Sequence, residues 1–199
     1  MKLILASASP RRAEILRNAG FAFDIFPADV DETLLLDERA EDYVQRLAEQ
    51  KARAAMERRE RDAIPAIVIG ADTTVVASGQ ILGKPIDKQD ARRMLRLLAG
   101  ETHQVLTGLT VMRSTDGYAA SLVETTRVSF APLLESEIEE YLASGEPFDK
   151  AGAYGIQGVG GRYVTRIEGC YFNVMGLPLW RLWSMLRNFQ RRDSTNGGS

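Results

Sequence analysis

The chain has 199 residues, of which 45% are hydrophobic and 26% charged, enough apolar material for the core of one domain or of two small lobes. Its 25 Lys and Arg against 27 Asp and Glu leave a net charge of −2, which argues against a protein that coats DNA or RNA. The one cysteine rules out an internal disulfide, and neither a signal-peptide core nor an apolar run of membrane-spanning length is present. We therefore expect a cytoplasmic protein with no nucleic-acid or membrane partner.

Strands and helices alternate through the first half of the chain. Gly20 is placed to end the first helix in the left-handed conformation, and Gly79 marks a hairpin turn. The predicted elements are a strand at 2–6, a helix at 10–19, a short strand at 21–26, a helix at 40–58, a strand within 65–76 and a return strand from residue 81.

The second half continues the alternation but adds hairpins, so the sheet cannot be purely parallel. The predicted elements are a helix capped by Asp87 and running to residue 99, strands at 104–113 and 120–130 around a turn, a helix at 135–144, a late hairpin at 163–167 and 170–174, and a last helix at 179–189. We predict an α/β fold with a mixed sheet flanked by helices. Residues 1–190 are expected to form a single domain and 191–199 a disordered tail.

Two arginines stand at the start of the first helix. Ser9 suits the N-cap and Pro10 the first helical position, which puts Arg11 and Arg12 in the first turn. Cations are unfavourable at this partly positive end, by about 0.3–1 kcal/mol each, unless an anion is bound there. The pattern favours a phosphate site, and two solvated surface arginines are the alternative.

Two acidic residues are candidates, one inside a predicted strand and one after a predicted strand. Asp72 ends an apolar run, where a buried carboxylate needs a metal, a cation or a proton. It could bind Mg²⁺ or act as a general base on water, or it could cap a turn. Glu32, in an acidic loop, could be a second carboxylate for the metal.

Two lysines and a glutamine are further candidates for the site. Lys51 falls on the apolar face of its helix, so it either extends along that face to solvent or points into a cleft. Lys84 lies between Gly and Pro, which suits a phosphate contact or an ordinary loop. The glycine-dense segment 150–161 matches no phosphate-binding motif, but its Gln157 could read the edge of a base. We interpret the one histidine, His103, as structural.

Several long motifs occur in one order along the chain: ASASPRR at 6–12, GADT at 70–73, GKP at 83–85, THQV at 102–105 and DKAGAYGIQG at 149–158. In this combination the chain resembles the Maf family of nucleotide pyrophosphatases over nearly its whole length. The resemblance implies two lobes around a central cleft, related to the inosine-triphosphate pyrophosphatases. It implies hydrolysis of a nucleoside triphosphate to the monophosphate and pyrophosphate with a divalent metal cation, Mg²⁺ or Mn²⁺, and it suggests a homodimer.

The resemblance also divides the roles among the residues. It implies that Asp72 is the general base and, with Glu32, places the metal. It implies that Arg12, Lys51 and Lys84 contact the phosphates, beside the helix start at Ser9.

A second set of residues concerns the choice of base. The resemblance implies that Arg11, Thr73 and Gln157 distinguish a branch acting on dTTP and UTP from one acting on 7-methyl-GTP, and this chain has the dTTP/UTP pattern at all three positions. Two alternatives stay open: a pyrophosphatase for 7-methyl-GTP or another modified nucleotide, and a nucleotide-binding regulator of cell division and septum formation.

Overall fold

The computed structural model of the chain describes residues 1–59 and 64–196. In that part of the chain seven strands form one mixed sheet with the order β2-β1-β3-β5-β6-β7, and β4 pairs with β3 as a hairpin. The neighbours of β1 are parallel to it and the other pairs are antiparallel. The strands are β1 (Lys2–Leu5), β2 (Asp24–Ile25), β3 (Ala66–Ala77), β4 (Gln80–Leu82), β5 (Thr102–Arg113), β6 (Ala119–Phe130) and β7 (Val164–Glu168).

Helices cover the sheet, and three short 3₁₀ turns lie between β6 and β7. None of the described helices is long and apolar enough to cross a membrane. The helices are α1 (Pro10–Asn18), α2 (Ala40–Glu57), α3 (Lys88–Leu98), α4 (Glu135–Ala143), α5 (Tyr171–Val174) and α6 (Leu179–Asn196), and the 3₁₀ turns are Glu146–Asp149, Ala151–Ala153 and Val159–Tyr163.

The predicted mixed α/β architecture is confirmed, and most predicted elements are present with ends shifted by one or two residues. Asp87 caps α3 as expected, because its side chain accepts a hydrogen bond from the Asp90 amide. The short strand expected at 21–26 is reduced to β2. The last helix runs past its predicted end at residue 189. The single domain at 1–190 and the disordered tail at 191–199 stay predictions, and residues 197–199 lie outside the described part.

The predicted late hairpin is wrong. Its first arm is β7, but its second arm is the helix α5. Gly169 has a φ of 126°, which turns the chain away from β7. The buried Asn173 side chain then donates hydrogen bonds to the Val105 carbonyl at 2.9 Å and to Thr126 Oγ1 at 3.0 Å. These contacts with β5 and β6 favour a helical turn over a strand.

Apolar side chains form separate cores in two lobes, as predicted. One core, around Leu5, Leu16 and Phe189, packs α1 and α6 against one face of the sheet. Another, around Leu95 and Tyr141, packs α3 and α4 against the far ends of the long strands. The strands β3, β5 and β6 have 12 residues each and run through both lobes.

Two glycines let α2 lie unusually close to the sheet. A β-carbon on Gly70 in β3 would overlap the Ala48 carbonyl oxygen, and one on Gly108 in β5 would overlap the Val44 carbonyl oxygen. Because neither strand carries a side chain at these points, the backbone of α2 rests directly on β3 and β5. This contact fixes where the side chains of α2 meet the sheet.

Candidate active site

A cleft of about 350 Å³ lies between the two lobes, which is in the size range of small-ligand sites. Every residue that the sequence singled out for a site lines it. Those residues are Ser9, Arg11, Arg12, Glu32, Lys51, Asp72, Thr73, Lys84 and Gln157.

Strand β3 delivers neighbouring side chains to opposite faces of the sheet. Successive residues of a strand alternate in direction, so Asp72 faces α2 whereas Thr73 faces α1. Lys51 on α2 donates a hydrogen bond to Asp72, and Arg12 on α1 donates one to Thr73. The strand therefore joins two groups of polar side chains at one point of the cleft.

Lys51 binds two carboxylates at once. Its Nζ lies 2.6 Å from Asp72 Oδ1 and 2.6 Å from Glu32 Oε1, and its side chain is 10% exposed. The lysine thus points into the cleft and does not extend to solvent. Asp72 is 8% exposed and pairs with this cation, so it does not serve as a simple turn cap.

Burial raises the pKa of Glu32, but the hydrogen bond and charge of Lys51 and the charges of Lys84 and Arg12 outweigh that effect, so its pKa is lowered. The loop that carries Glu32 is held by α2. Tyr43 Oη donates to the Glu32 carbonyl at 3.0 Å, and burial together with the nearby Asp72 and Glu32 charges raises the pKa of Tyr43 to about 12. Glu32 is therefore held as a carboxylate facing Lys51.

Arg12 is buried and fixed on three sides. Its Nε donates to the Gly176 carbonyl at 2.7 Å, its Nη1 to Ser7 Oγ at 2.9 Å and its Nη2 to Thr73 Oγ1 at 3.0 Å. Burial lowers the pKa of this guanidinium, and the negative charge of Asp72 opposes the effect. The alternative of two solvated surface arginines is therefore wrong for Arg12.

Ser9 lies at the cleft and precedes α1, but the predicted capping hydrogen bond from its side chain is not formed. The nearby hydroxyl of Ser7 takes a structural part instead, because it accepts hydrogen bonds from the Ser9 amide at 3.2 Å and from Arg12. Pro10 occupies the start of the helix as predicted. Ser7 thus ties the strand end of β1 to the arginine of α1.

Arg11 reaches across the cleft to the other lobe. Its Nη1 lies 2.9 Å from Asp149 Oδ2, and its Nη2 donates to the Asp149 carbonyl at 3.3 Å. Burial raises the pKa of Asp149, but hydrogen bonds from Lys150 and Arg11 and their charges outweigh it, so its pKa is lowered. The two arginines are therefore not equivalent, since one is buried within its lobe and the other joins the two lobes.

Lys84 and Gln157 are exposed residues on the opposite wall of the cleft. The Gly152 amide donates to the Gly83 carbonyl at 3.1 Å, which ties the glycine-dense segment to the loop of Lys84. Gly152 has a φ of 71° and lies against Val75, where a β-carbon would be 2.9 Å from Cγ2. The two loops are thus held together beside the end of β3.

His103 lies away from the cleft, in the core of the second lobe. Its Nε2 is 2.9 Å from Tyr154 Oη, and its ring contacts Phe130 edge to face at 5.1 Å between centroids. Burial lowers its pKa to about 4. This environment agrees with the structural interpretation of the sequence.

The site contains polar partners that local sequence patterns did not indicate. Asp149 binds Arg11 from 138 positions away, and the Gly176 carbonyl binds Arg12 from 164 positions away. Thr107 shares a hydrogen bond of 2.9 Å with Thr73. The charged Asp149 at the edge of the glycine-dense segment was the one signal that could have drawn attention.

The cleft carries both cationic and acidic side chains, which suits a phosphate-bearing ligand that binds together with a metal cation. Arg11, Arg12, Lys51 and Lys84 can bind phosphates, while Asp72 and Glu32 offer hard carboxylate oxygens at one point. Among the described residues no group of three or more His, Cys, Asp or Glu forms a complete metal cage. Two carboxylates meeting at one position fit a magnesium-type ion, which normally takes its other ligands from substrate phosphates and water.

Comparisons with known proteins identify the family of the chain. The family described as Maf-like protein matches residues 2–189. The dTTP/UTP pyrophosphatase of Koribacter versatilis is 51% identical over 189 residues, which cover 94% of each chain. The enzyme of that name from Vibrio parahaemolyticus is 48% identical over 95% of this chain and 97% of its own. That from Hahella chejuensis is 50% identical over 94% and 92%, respectively.

A solved structure, the nucleoside-triphosphatase / dITP/XTP pyrophosphatase of Mycobacterium abscessus, aligns with 67% of this chain and 74% of its own, at 14% identity and a TM-score of 0.35. That likeness is too low to bear on function. The family match spans almost the whole chain, and each of the three relatives is similar to this chain over nearly its full length. The chain therefore belongs to the Maf family.

Proposed function

We propose that the protein hydrolyses dTTP and UTP to the nucleoside monophosphate and pyrophosphate. The observation that carries the proposal is the meeting of Lys51, Asp72 and Glu32 in a cleft that also holds Arg12. Such a site combines groups that neutralise a polyphosphate with a carboxylate that can activate water. The relatives at about 50% identity carry the name of this activity.

The carboxylates of Asp72 and Glu32 would hold a divalent cation, Mg²⁺ or Mn²⁺. When bound, such an ion would neutralise phosphate charge. In the structure both carboxylates instead contact the ammonium group of Lys51. With the ion held by Asp72 and Glu32, the ammonium group of Lys51 would be available to bind the substrate phosphates.

Asp72 is the proposed general base. The Asp72 carboxylate, which is buried and pairs with Lys51, would accept a proton from water. The water oxygen then bonds to the α-phosphorus, the bond from that phosphorus to the bridging oxygen breaks, and pyrophosphate leaves. Most of the catalytic effect would come from positioning and charge stabilisation.

Arg12, Lys51 and Lys84 are the proposed triphosphate ligands. Arg12 has five N–H donors, of which three are used by Ser7, Thr73 and Gly176. The remaining two can donate to phosphate oxygens without any loss of the contacts that hold the side chain. Lys84 is exposed at the opposite wall, where it could bind the far end of the triphosphate.

Arg11, Thr73 and Gln157 are proposed to select the base. Gln157 carries an amide that can both donate and accept, which matches the N3–H and O4 of uracil and thymine. Thr73 also holds Arg12 through its hydroxyl, so its effect on selection would be indirect. Arg11 and Gln157 lie on opposite lobes and would approach the base from two sides.

The proposal also includes a cytoplasmic location and a homodimer. Both follow from the sequence expectations and the family resemblance. Sedimentation of the purified protein over a range of concentrations would measure the oligomeric state directly.

The activity is tested with purified protein, Mg²⁺ and a panel of nucleoside triphosphates. We expect equal amounts of pyrophosphate and monophosphate from dTTP and UTP, with slower release from the other nucleotides. Release of single phosphate would contradict attack at the α-phosphorus, and no release from dTTP or UTP would contradict the proposed substrates.

The variant Asp72→Asn tests the general base. We expect turnover to fall by roughly 100- to 10,000-fold while dTTP still binds, because an amide cannot accept the proton from water. Asp42→Asn, an exposed change on α2, is the matched control and should leave turnover unchanged. Near-normal turnover of Asp72→Asn would remove this residue as the base.

A further inference from the structure

The glycines around Gln157 have a structural explanation in the packing of their loop. A β-carbon on Gly158 would overlap the Glu146 carboxylate, and one on Gly155 would lie 2.6 Å from Lys150 Cε. One on Gly160 would lie 2.5 Å from Tyr141 Oη. The glycines flanking Gln157 therefore allow the loop to press against side chains from α4 and the 3₁₀ turn that follows it.

Glu146 is the main anchor of this loop. Its Oε2 accepts a hydrogen bond from the Val159 amide at 2.8 Å, and its Oε1 accepts one from the Gly160 amide at 3.2 Å. The Tyr141 hydroxyl donates a third bond to Oε1 at 2.7 Å. Burial raises the pKa of Glu146, but the three donors and the charge of Lys150 outweigh it, so its pKa is lowered. The carboxylate is thus held ionised by the loop that it anchors.

Tyr141 holds the other end of the loop. This side chain is fully buried, and its hydroxyl accepts a hydrogen bond from the Gly155 amide at 3.1 Å while donating to Glu146. The backbone is therefore bound two residues before Gln157 and again two and three residues after it. Both anchors belong to one hydrogen-bonded pair of side chains.

Gln157 itself has no such support. In residues 1–59 and 64–196 no hydrogen bond or ion pair of the structure involves its side chain, and it is exposed at the cleft. The direction in which its amide points therefore depends on the backbone on either side. That backbone is held by Glu146 and Tyr141.

We propose that Glu146 is a positioning residue for base selection, which holds the Gln157 loop in the conformation that presents the amide to the base. This inference rests on the proposed function of the site. Glu146 does not line the cleft, so it acts through Gln157 and does not touch the nucleotide. The same 3₁₀ turn carries Asp149, which binds Arg11, so one short segment supports both proposed contacts to the base.

The first test compares selectivity in the full-length protein. We expect Glu146→Gln and Glu146→Ala to lower the ratio of kcat/KM for UTP over that for CTP by about tenfold, the scale of one lost charge-assisted hydrogen bond. An amide at 146 has one oxygen for three donors, so the glutamine variant should also loosen the loop. The kcat for UTP should stay within about threefold of the wild-type value, since the phosphate groups are untouched.

Glu140→Gln is the matched control. Glu140 lies on α4 and binds the exposed Arg162 at 3.0 Å, whereas the amides of Gly155, Val159 and Gly160 are bound by Tyr141 and Glu146. This variant should keep the wild-type selectivity. Tyr141→Phe, which removes the hydroxyl but keeps the ring, should reproduce the effect of Glu146→Gln.

A double variant separates positioning from general damage to the fold. If Glu146 acts through Gln157, Glu146→Gln combined with Gln157→Ala should have the selectivity of Gln157→Ala alone. An additional loss in the double variant would contradict action through Gln157. Unchanged selectivity in a folded Glu146→Ala protein would overturn the proposal.

Hydrogen exchange distinguishes failure of this inference from failure of the proposed function. In Glu146→Ala we expect faster exchange of the Val159 and Gly160 amides, with exchange in β3 unchanged. If wild-type protein releases no pyrophosphate from dTTP or UTP, the proposed function fails. The exchange measurement still shows whether Glu146 holds the Gln157 loop. Unchanged exchange at these amides would show that Glu146 does not hold the loop.

Discussion

Arg12 shows how a single residue can be both part of the fold and part of the site. Its three contacts join the end of β1, the middle of β3 and the segment that follows α5. The Thr73 hydroxyl extends this series of hydrogen bonds to Thr107, whose hydroxyl donates to the Asn173 carbonyl at 3.2 Å. The guanidinium is therefore set in place before any phosphate binds.

Replacement of this arginine by lysine tests that arrangement. A lysine cannot serve three separate acceptors with the geometry of a planar guanidinium. We expect Arg12→Lys to lower kcat/KM for dTTP by roughly 100-fold and the free energy of unfolding by about 1–3 kcal/mol. Steady-state kinetics and urea denaturation measure the two effects. Arg17→Lys, at an exposed position of the same helix, should change neither quantity appreciably.

At the scale of residues, the sequence predicted which side chains line the cleft better than it predicted their contacts. Asp72 was recognisable because a carboxylate ended an apolar run. The position of Lys51 on the apolar face of a helix was a signal too, but it left open whether the side chain extended to solvent or entered a cleft. The pairing of Arg11 with Asp149 was not predictable, since it joins positions 138 apart through the folded topology. The network behind Arg12 is hidden for the same reason.

At the scale of elements, the contact of α2 with the sheet determines the geometry of Lys51 and Asp72. The helix can approach only because Gly70 and Gly108 lack side chains. Asp72 lies directly opposite Gly108 in the pairing of β3 with β5. The carboxylate thus stands at the point where the helix backbone is nearest to the strands.

Gly70→Ala should therefore disturb both stability and catalysis. Its β-carbon would overlap the Ala48 carbonyl oxygen and lie 2.8 Å from the Ala52 amide nitrogen, so α2 must move. We expect the free energy of unfolding to fall by about 2 kcal/mol or more, and kcat/KM to fall because Lys51 moves away from Asp72. Gly83→Ala, where a β-carbon meets nothing within 4 Å, is the control for unfolding. Equal stability of the two variants would contradict the close packing of α2.

Elements bounded by glycine, proline or a capping aspartate were predictable because those signals are local. The segment at 171–174 was not, since its aromatic and β-branched residues favour a strand when read alone. Its helical turn depends on Asn173, which hydrogen-bonds to β5 and β6. Tertiary contacts decided the conformation there, and no local pattern contains them.

At the scale of the whole molecule, a buried histidine couples stability to pH. Burial lowers the pKa of His103 from 6.5 to about 4. Between these values the unfolded chain binds a proton that the folded protein does not, so stability rises with pH. The contribution of neutral His103 to the free energy of unfolding is fully present above pH 6.5 and is lost as the pH falls to 4 and below. Its total size is about 3 kcal/mol.

Chemical denaturation at several pH values measures this effect. Between pH 4.5 and 6.5 we expect the free energy of unfolding to drop by up to about 1.4 kcal/mol per pH unit on acidification. His103→Gln, which cannot titrate, should flatten the curve in this range. Carboxylates with lowered pKa values, such as Glu139 at about 2, act mainly below it. Parallel curves for wild type and variant would exclude His103 as the source.

The three long strands shared by both lobes limit the motions that this protein can make. A hinge between the lobes would have to break the hydrogen bonds between β3, β5 and β6, which run without interruption from one core to the other. The cleft can therefore open and close only by twisting of the sheet or by movement of the loops along its rim. Entry of substrate and escape of product would then be controlled at the rim, where the ion pair of Arg11 and Asp149 spans the opening.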